Sequence, residues 1–183
     1  MINNVSASPA MLWHNVNNQT SKKSQNTNLP TSTSATVQLD GNALVSGGVR
    51  VPGGGMMSAS VFKAENFSHD NPVMLVKGKD VDGSPFEVEV NINDVNPKNA
   101  SFIEMFALDG YLAANGKPSS VTRAAAGAMA ANNALSGNNA STKFDFVTPL
   151  LEHLETQRFH SNWEAVAWLT PVVDTLLNHM AQR

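Results

Sequence analysis

From Pro72 the chain alternates between apolar and polar positions. Val73-Met74-Leu75-Val76-Lys77-Gly78-Lys79 reads as a strand, and Phe86-Glu87-Val88-Glu89-Val90-Asn91-Ile92 follows with period two. Phe86, Val88, Val90 and Ile92 share one face, with Glu87, Glu89 and Asn91 on the other. Asp82-Gly83 lies between the two runs and is a hairpin turn signal. A lone hairpin is marginal in water, so the apolar face of residues 73–92 must pack on something.

Past Asn96-Pro97 the period changes to that of helices. Asn96 suits a cap with Pro97 in the first turn, and Asn99 or Ser101 are alternative starts. Phe102, Ile103 and Phe106, continued by Leu108 and Leu112, form an apolar stripe that Gly116 and Pro118 end. An alanine-rich second helix is expected from Val121 to Leu135, capped by Ser119 or Ser120 and closed by Gly137. A third is expected from Thr148-Pro149 to Gln157, with Leu150, Leu151 and Leu154 on its core face. Ser161-Asn162-Trp163-Glu164 fits a capping box, with Ser161 as the cap of a final helix running to Met180. Pro171 falls inside that helix and should kink it or split it.

Before Pro72 the pattern weakens. Val37, Leu39, Leu44, Val45, Val49 and Val51 are β-formers, but Gly41, Gly47, Gly48 and Gly53-Gly54-Gly55 interrupt them. Glycine weakens strand interiors, so short or marginal strands are expected, with Pro52 at an edge. Asn15 to Thr36 is nearly all Asn, Ser, Thr, Gln, Lys and Pro, too polar to offset the ordering entropy of folding. Residues 1–36 therefore read as a flexible polar tail, with Met11-Leu12-Trp13 its one apolar cluster. Residues 37–183 read as a single α+β domain, a small antiparallel sheet packed on several helices spanning about 97–181.

Composition narrows the function. Of 183 residues only 15% are charged, and the net charge is −3, which gives no electrostatic footprint for nucleic acid or an anionic membrane. The first 60 residues carry only Lys22, Lys23, Asp40 and Arg50. There is no cysteine, which excludes disulfides, thiolate metal ligation and thiol catalysis. No apolar run is long enough to span a membrane, and Met1 to Met11 lacks the basic and apolar regions of a secretory signal. The expected location is cytoplasmic, or outside the cell by export without a cleaved signal.

Candidate chemistry is sparse. With Gly83 at position six of a calcium loop, Asp80, Asp82 and Glu89 fall at ligand positions, but Gly78 holds position one and the flanks read as strands. The turn reading is preferred. Gly47 to Gly55 lacks the Gly-Lys-Ser/Thr ending of a phosphate loop, and no Gly-x-Ser-x-Gly is present. No cofactor is expected. Of the five histidines, His153 and His160 lie close in sequence to Glu152 and Glu164. Imidazole and carboxylate suit zinc, so His153, His160 and Glu164 are the candidate metal set of a small metal-dependent hydrolase.

The stretch from Val76-Lys77-Gly78-Lys79-Asp80 through Phe102-Ile103-Glu104-Met105 resembles a segment of uncharacterised bacterial proteins with similarly polar, variable N-termini. The resemblance covers residues 76–105. It implies a bacterial source and carries over no activity or functional residue.

The favoured reading is a non-enzymatic interaction protein that binds a protein partner or forms a homo-oligomer. Substrates of flagellar or type III-like export are similar in composition: cysteine-free, rich in Asn, Ser, Thr and Ala, with a polar N-terminus. Trp163 and Trp168 are the candidate interaction residues. Five positions apart, they lie about 140° apart on a helix. With a core stripe through Val166, Val173, Leu177 and Met180, they would sit on its opposite flanks, one of them partly exposed.

Overall fold

The computed structural model describes residues 42–50, 55–131 and 139–182. The expected tail, Pro52 and the expected end of the alanine-rich helix lie outside the described residues.

Four strands form an antiparallel sheet in chain order: β1 (Val45–Arg50), β2 (Met56–Lys63), β3 (Val73–Lys79) and β4 (Pro85–Asn91). The fold is α+β. Val76 pairs with Val61 on one side and Val88 on the other, so apolar residues line up across three strands. Val49, Met57, Ala59, Val61, Met74, Val76 and Val90 are buried on that face. The opposite face is mixed: Phe62 pairs with Leu75 there, beside a Ser46–Ser60 hydroxyl pair at 2.9 Å and a Lys77–Glu87 ion pair at 3.2 Å.

The strands around the glycines are stronger than expected. β2 is an eight-residue interior strand. Met57, Ala59 and Val61 alternate there with Ser58 and Ser60, and ladders on both sides hold the backbone. The β3–β4 hairpin is as expected, and Gly83 holds φ +84° in its turn. Val88 remains partly exposed despite facing inward, because β4 is an edge strand.

A single 3-10 turn (Ile92–Asp94) leads to β5 (Ala100–Ser101), which pairs with β6 (Lys143–Phe144). Helix α1 (Phe102–Ala114) then lies across the inner sheet face on β2 and β3. Asn96-Pro97 does not start it. The Asn96 carbonyl instead accepts from Asn99 at 2.7 Å, and the Pro97 carbonyl accepts from Phe146 at 2.9 Å. Tertiary pairing thus claims the segment that local propensity offers to the helix. Ser101 is the cap, in a reciprocal capping box with Glu104. Glu104 also pairs with Lys143 across the β5–β6 ladder. Phe102, Phe144 and Phe146 pack edge-to-face nearby, with centroids 5.0–6.0 Å apart.

At its other end α1 closes in a Schellman turn. Gly116, at φ +65°, donates to Ala113, and Lys117 donates to Leu112 at 2.9 Å. Gly110 explains the tight seat of α1: a Cβ there would come within 2.4 Å of Val61 Cγ1. Helix α2 (Val121–Ala131) packs against α1, and α3 (Val147–Phe159) and α4 (Trp163–Ala181) pack on each other and on α2.

Two expectations about the last helices need correction and a third is narrowed. Asn162, not Ser161, caps α4, its side chain accepting from Ala165. Ser161 adopts φ 54°, left-handed backbone unsuited to a cap. Of the two outcomes expected at Pro171, a kink or a split, the split does not occur, because α4 runs through 19 residues. Pro171 is exposed, while Leu169, Val172, Val173 and Leu176 are buried on both sides of it and hold the helix together. On α3, Leu150 and Leu154 are buried but Leu151 is partly exposed, at 38%.

Candidate interaction surface

The buried stripe of α4 runs through Leu169, Val172, Val173 and Leu176. It is rotated from the expected line through Val166, Val173, Leu177 and Met180, and Leu177 falls on an exposed flank. At 100° per residue the rotation, about 60°, carries Trp163 away from the core and brings Trp168 to the edge of the buried stripe. Trp163 is 66% exposed and Trp168 44%, so both candidates are accessible rather than one.

Their surroundings differ. The Arg123 guanidinium of α2 lies 5.9 Å from the Trp168 ring, within cation–π range, and covers part of it. Trp163 stands in the first turn of α4, just past the connection His160–Asn162. On the other side of that connection Phe159, the last residue of α3, is 86% exposed. Phe159 has no place in the sequence expectation, which ended the helix at Gln157. A signal for it exists: it lies about 180° from Leu150 on the helix, opposite the core face.

The connection itself is well fixed. The amides of His160, Ser161 and Asn162 donate to Thr156, Arg158 and Gln157 at 2.9–3.1 Å. Asn162 Nδ2 donates to Gln157 Oε1 at 2.7 Å. Phe159 and Trp163 are therefore displayed from a rigid helical hairpin. Rigid aromatics lose little conformational entropy on contact, and exposed apolar patches of this kind mark association sites.

The candidate metal set does not assemble. His153 is half-buried on α3, His160 and Glu164 are exposed around the connection, and Glu152 is exposed on α3. Among the described residues no group of three or more His, Asp or Glu side chains is placed to hold a metal ion. Asp80 and Asp82 are engaged by the hairpin turn. Asp80 Oδ1 accepts from Val81 at 2.7 Å and from Ala140 at 2.9 Å, and Asp82 Oδ1 accepts from Ser84 at 2.9 Å.

Asp109 is the buried acidic residue with an unusual environment. Its carboxylate accepts from the Val121 and Thr122 amides at 2.9 and 3.1 Å, capping α2 from α1. Burial pushes its carboxyl up to about 7, against these hydrogen bonds, which lower it. No other acid or base shares its site within ion-pair distance among the described residues, so the position reads as structural. No helix among the described residues is long and apolar enough to cross a membrane. Neither family models, nor curated proteins, nor solved structures yield a match to this chain.

Proposed function

We propose that this protein is a non-enzymatic interaction module that self-associates through the α3–α4 hairpin. The observation that carries the reading is the display of Phe159, Trp163 and Trp168 on one rigid helical pair, all substantially exposed. Leu151 and Leu177 extend apolar character along the same two helices. Aromatic side chains supply the largest contact free energies at interfaces, so these residues are the expected anchors.

Size-exclusion chromatography with light scattering on the full chain tests this. The mass should rise with concentration, and Phe159→Ser with Trp163→Ser should return it to that of a monomer. An export route without a cleaved signal accords with the cysteine-free, Asn- and Ser-rich composition. Fractionation of cells with and without a functional export apparatus tests that part separately.

A further inference from the structure

We propose that the exposed face of the α3–α4 hairpin receives residues 11–23 of a second copy of this chain. The Met11-Leu12-Trp13 cluster packs on Phe159 and Trp163, and the Lys22-Lys23 pair meets the neighbouring carboxylates. The proposal rests on the reading of the hairpin as the self-association surface and names what that surface binds.

The charge of the hairpin is one-sided. Across residues 147–182 four carboxylates, Glu152, Glu155, Glu164 and Asp174, stand against the single guanidinium of Arg158. All four are exposed. Around α3, Glu152, Glu155 and Phe159 lie about 140–200° from buried Leu150. Around α4, Glu164 and Asp174 lie about 140° to either side of buried Leu169. Carboxylates and aromatics therefore share the outward faces. Arg158 pairs with Glu155 at 2.7 Å, while Glu152, Glu164 and Asp174 have no ion-pair partner among the described residues. Two such faces brought together set like charges against each other, which opposes direct contact between hairpins.

The chain carries the complement itself. Residues 1–39 contain two charged side chains, Lys22 and Lys23, and no carboxylate. Their one apolar cluster, Met11-Leu12-Trp13, lies shortly before the lysines. An apolar anchor with cations beside it matches exposed aromatics rimmed by carboxylates. Residues 14–41 separate the cluster from the first described residue, Asn42. Fully extended, that length of chain spans up to about 100 Å, enough to reach the hairpin of another copy. Seated on its own hairpin, the segment would cover the aromatics within one chain and leave no surface for self-association.

The test is complementation between two full-length variants, followed by light scattering. One carries Leu12→Ser with Trp13→Ser, the other Phe159→Ser with Trp163→Ser. Each alone should associate about tenfold or more weakly than the wild type. Mixed, they should form a one-to-one complex, because one supplies an intact hairpin and the other an intact N-terminal segment. Lys22→Glu with Lys23→Glu should also weaken association by about tenfold or more, and adding Glu152→Lys with Glu164→Lys should restore it. An N-terminal variant that associates like the wild type, or a mixture that forms no complex, would overturn the proposal and leave the hairpin variant to judge the surface itself. A wild-type mass that stays constant with concentration would overturn both.

Discussion

The carboxylate of Asp109, midway along α1, accepts a hydrogen bond at 2.9 Å from the amide of Val121, the residue that opens α2. A side chain twelve residues upstream thus caps a helix that Ser119 and Ser120 were expected to cap. The cap carries a pH signature. Burial raises the folded-state value from 3.8 to about 7. The folded state therefore holds a proton that the unfolded state has lost, and stability falls as pH rises across that window. Below the unfolded value the contribution is full, and above about 7 it is gone. Glu104 and Asp145 have lowered values despite burial, through Lys143 and Ser101 for one and Thr148 and Val147 for the other. Their contributions are present at neutral pH and lost on acidification below the usual carboxylate range, outside most of the Asp109 window. Asp109→Asn should cost about 1 kcal/mol through the impaired cap and flatten the decline in thermal midpoint between pH 5 and 7. Paired melting curves of both proteins across that range check it.

Two helical glycines should respond in opposite directions to alanine. A Cβ at Gly127 would meet nothing within 4 Å, so Gly127→Ala should stabilise by about 0.5–1 kcal/mol through helix propensity. At Gly110 the new methyl would press into Val61, so Gly110→Ala should destabilise by about 1–3 kcal/mol. Denaturant unfolding of both variants measures the contrast.

Asp80 joins the β3–β4 turn to Ala140, sixty residues away, through a 2.9 Å hydrogen bond. Asp80→Ala should cost about 1–2 kcal/mol by leaving partly buried amides without an acceptor. Gly83→Val should cost at least about 1 kcal/mol, since φ +84° strains a β-branched residue. Because the turn already uses the Asp80 and Asp82 oxygens, calcium titration should leave the thermal midpoint of the wild-type protein unchanged.

The features legible in the sequence are those set by near neighbours. The 73–92 hairpin follows from period-two alternation and Asp82-Gly83, and the end of α1 from Gly116 and Pro118. Where several residues could cap, sequence alone did not choose. Asn96, Asn99 and Ser101 competed for α1, and only the pairing of Ala100–Ser101 with Lys143–Phe144 decides for Ser101. Ser161 matched a capping box, but the tight connection from α3 forces it to φ 54° and hands the cap to Asn162. The interior position of β2 depends on partners on both sides, which glycine counts do not reveal. For the surface, the spacing of Trp163 and Trp168, about 140° on a helix, was readable, but the rotation of α4 that turns Trp163 outward and leaves Trp168 at the edge of the buried stripe was not. That rotation is fixed by which residues meet α2 and α3.

Phe159 and Trp163 should be dispensable for folding because both side chains already face solvent. Phe159→Ser and Trp163→Ser should each change stability by no more than about 0.5 kcal/mol. Thermal unfolding of the dilute variants checks this and licenses their use as probes of association.

The most direct test follows the tryptophan indole N–H resonances of the full-length protein in ¹H–¹⁵N spectra over a wide range of protein concentration. Self-association through the α3–α4 hairpin predicts concentration-dependent shifts at the Trp163 and Trp168 indoles and at the amides around Phe159. The amides of the inner sheet, such as Met74 and Val76, should stay fixed. Spectra that are independent of concentration throughout, or shifts confined to residues outside α3 and α4, would contradict the account.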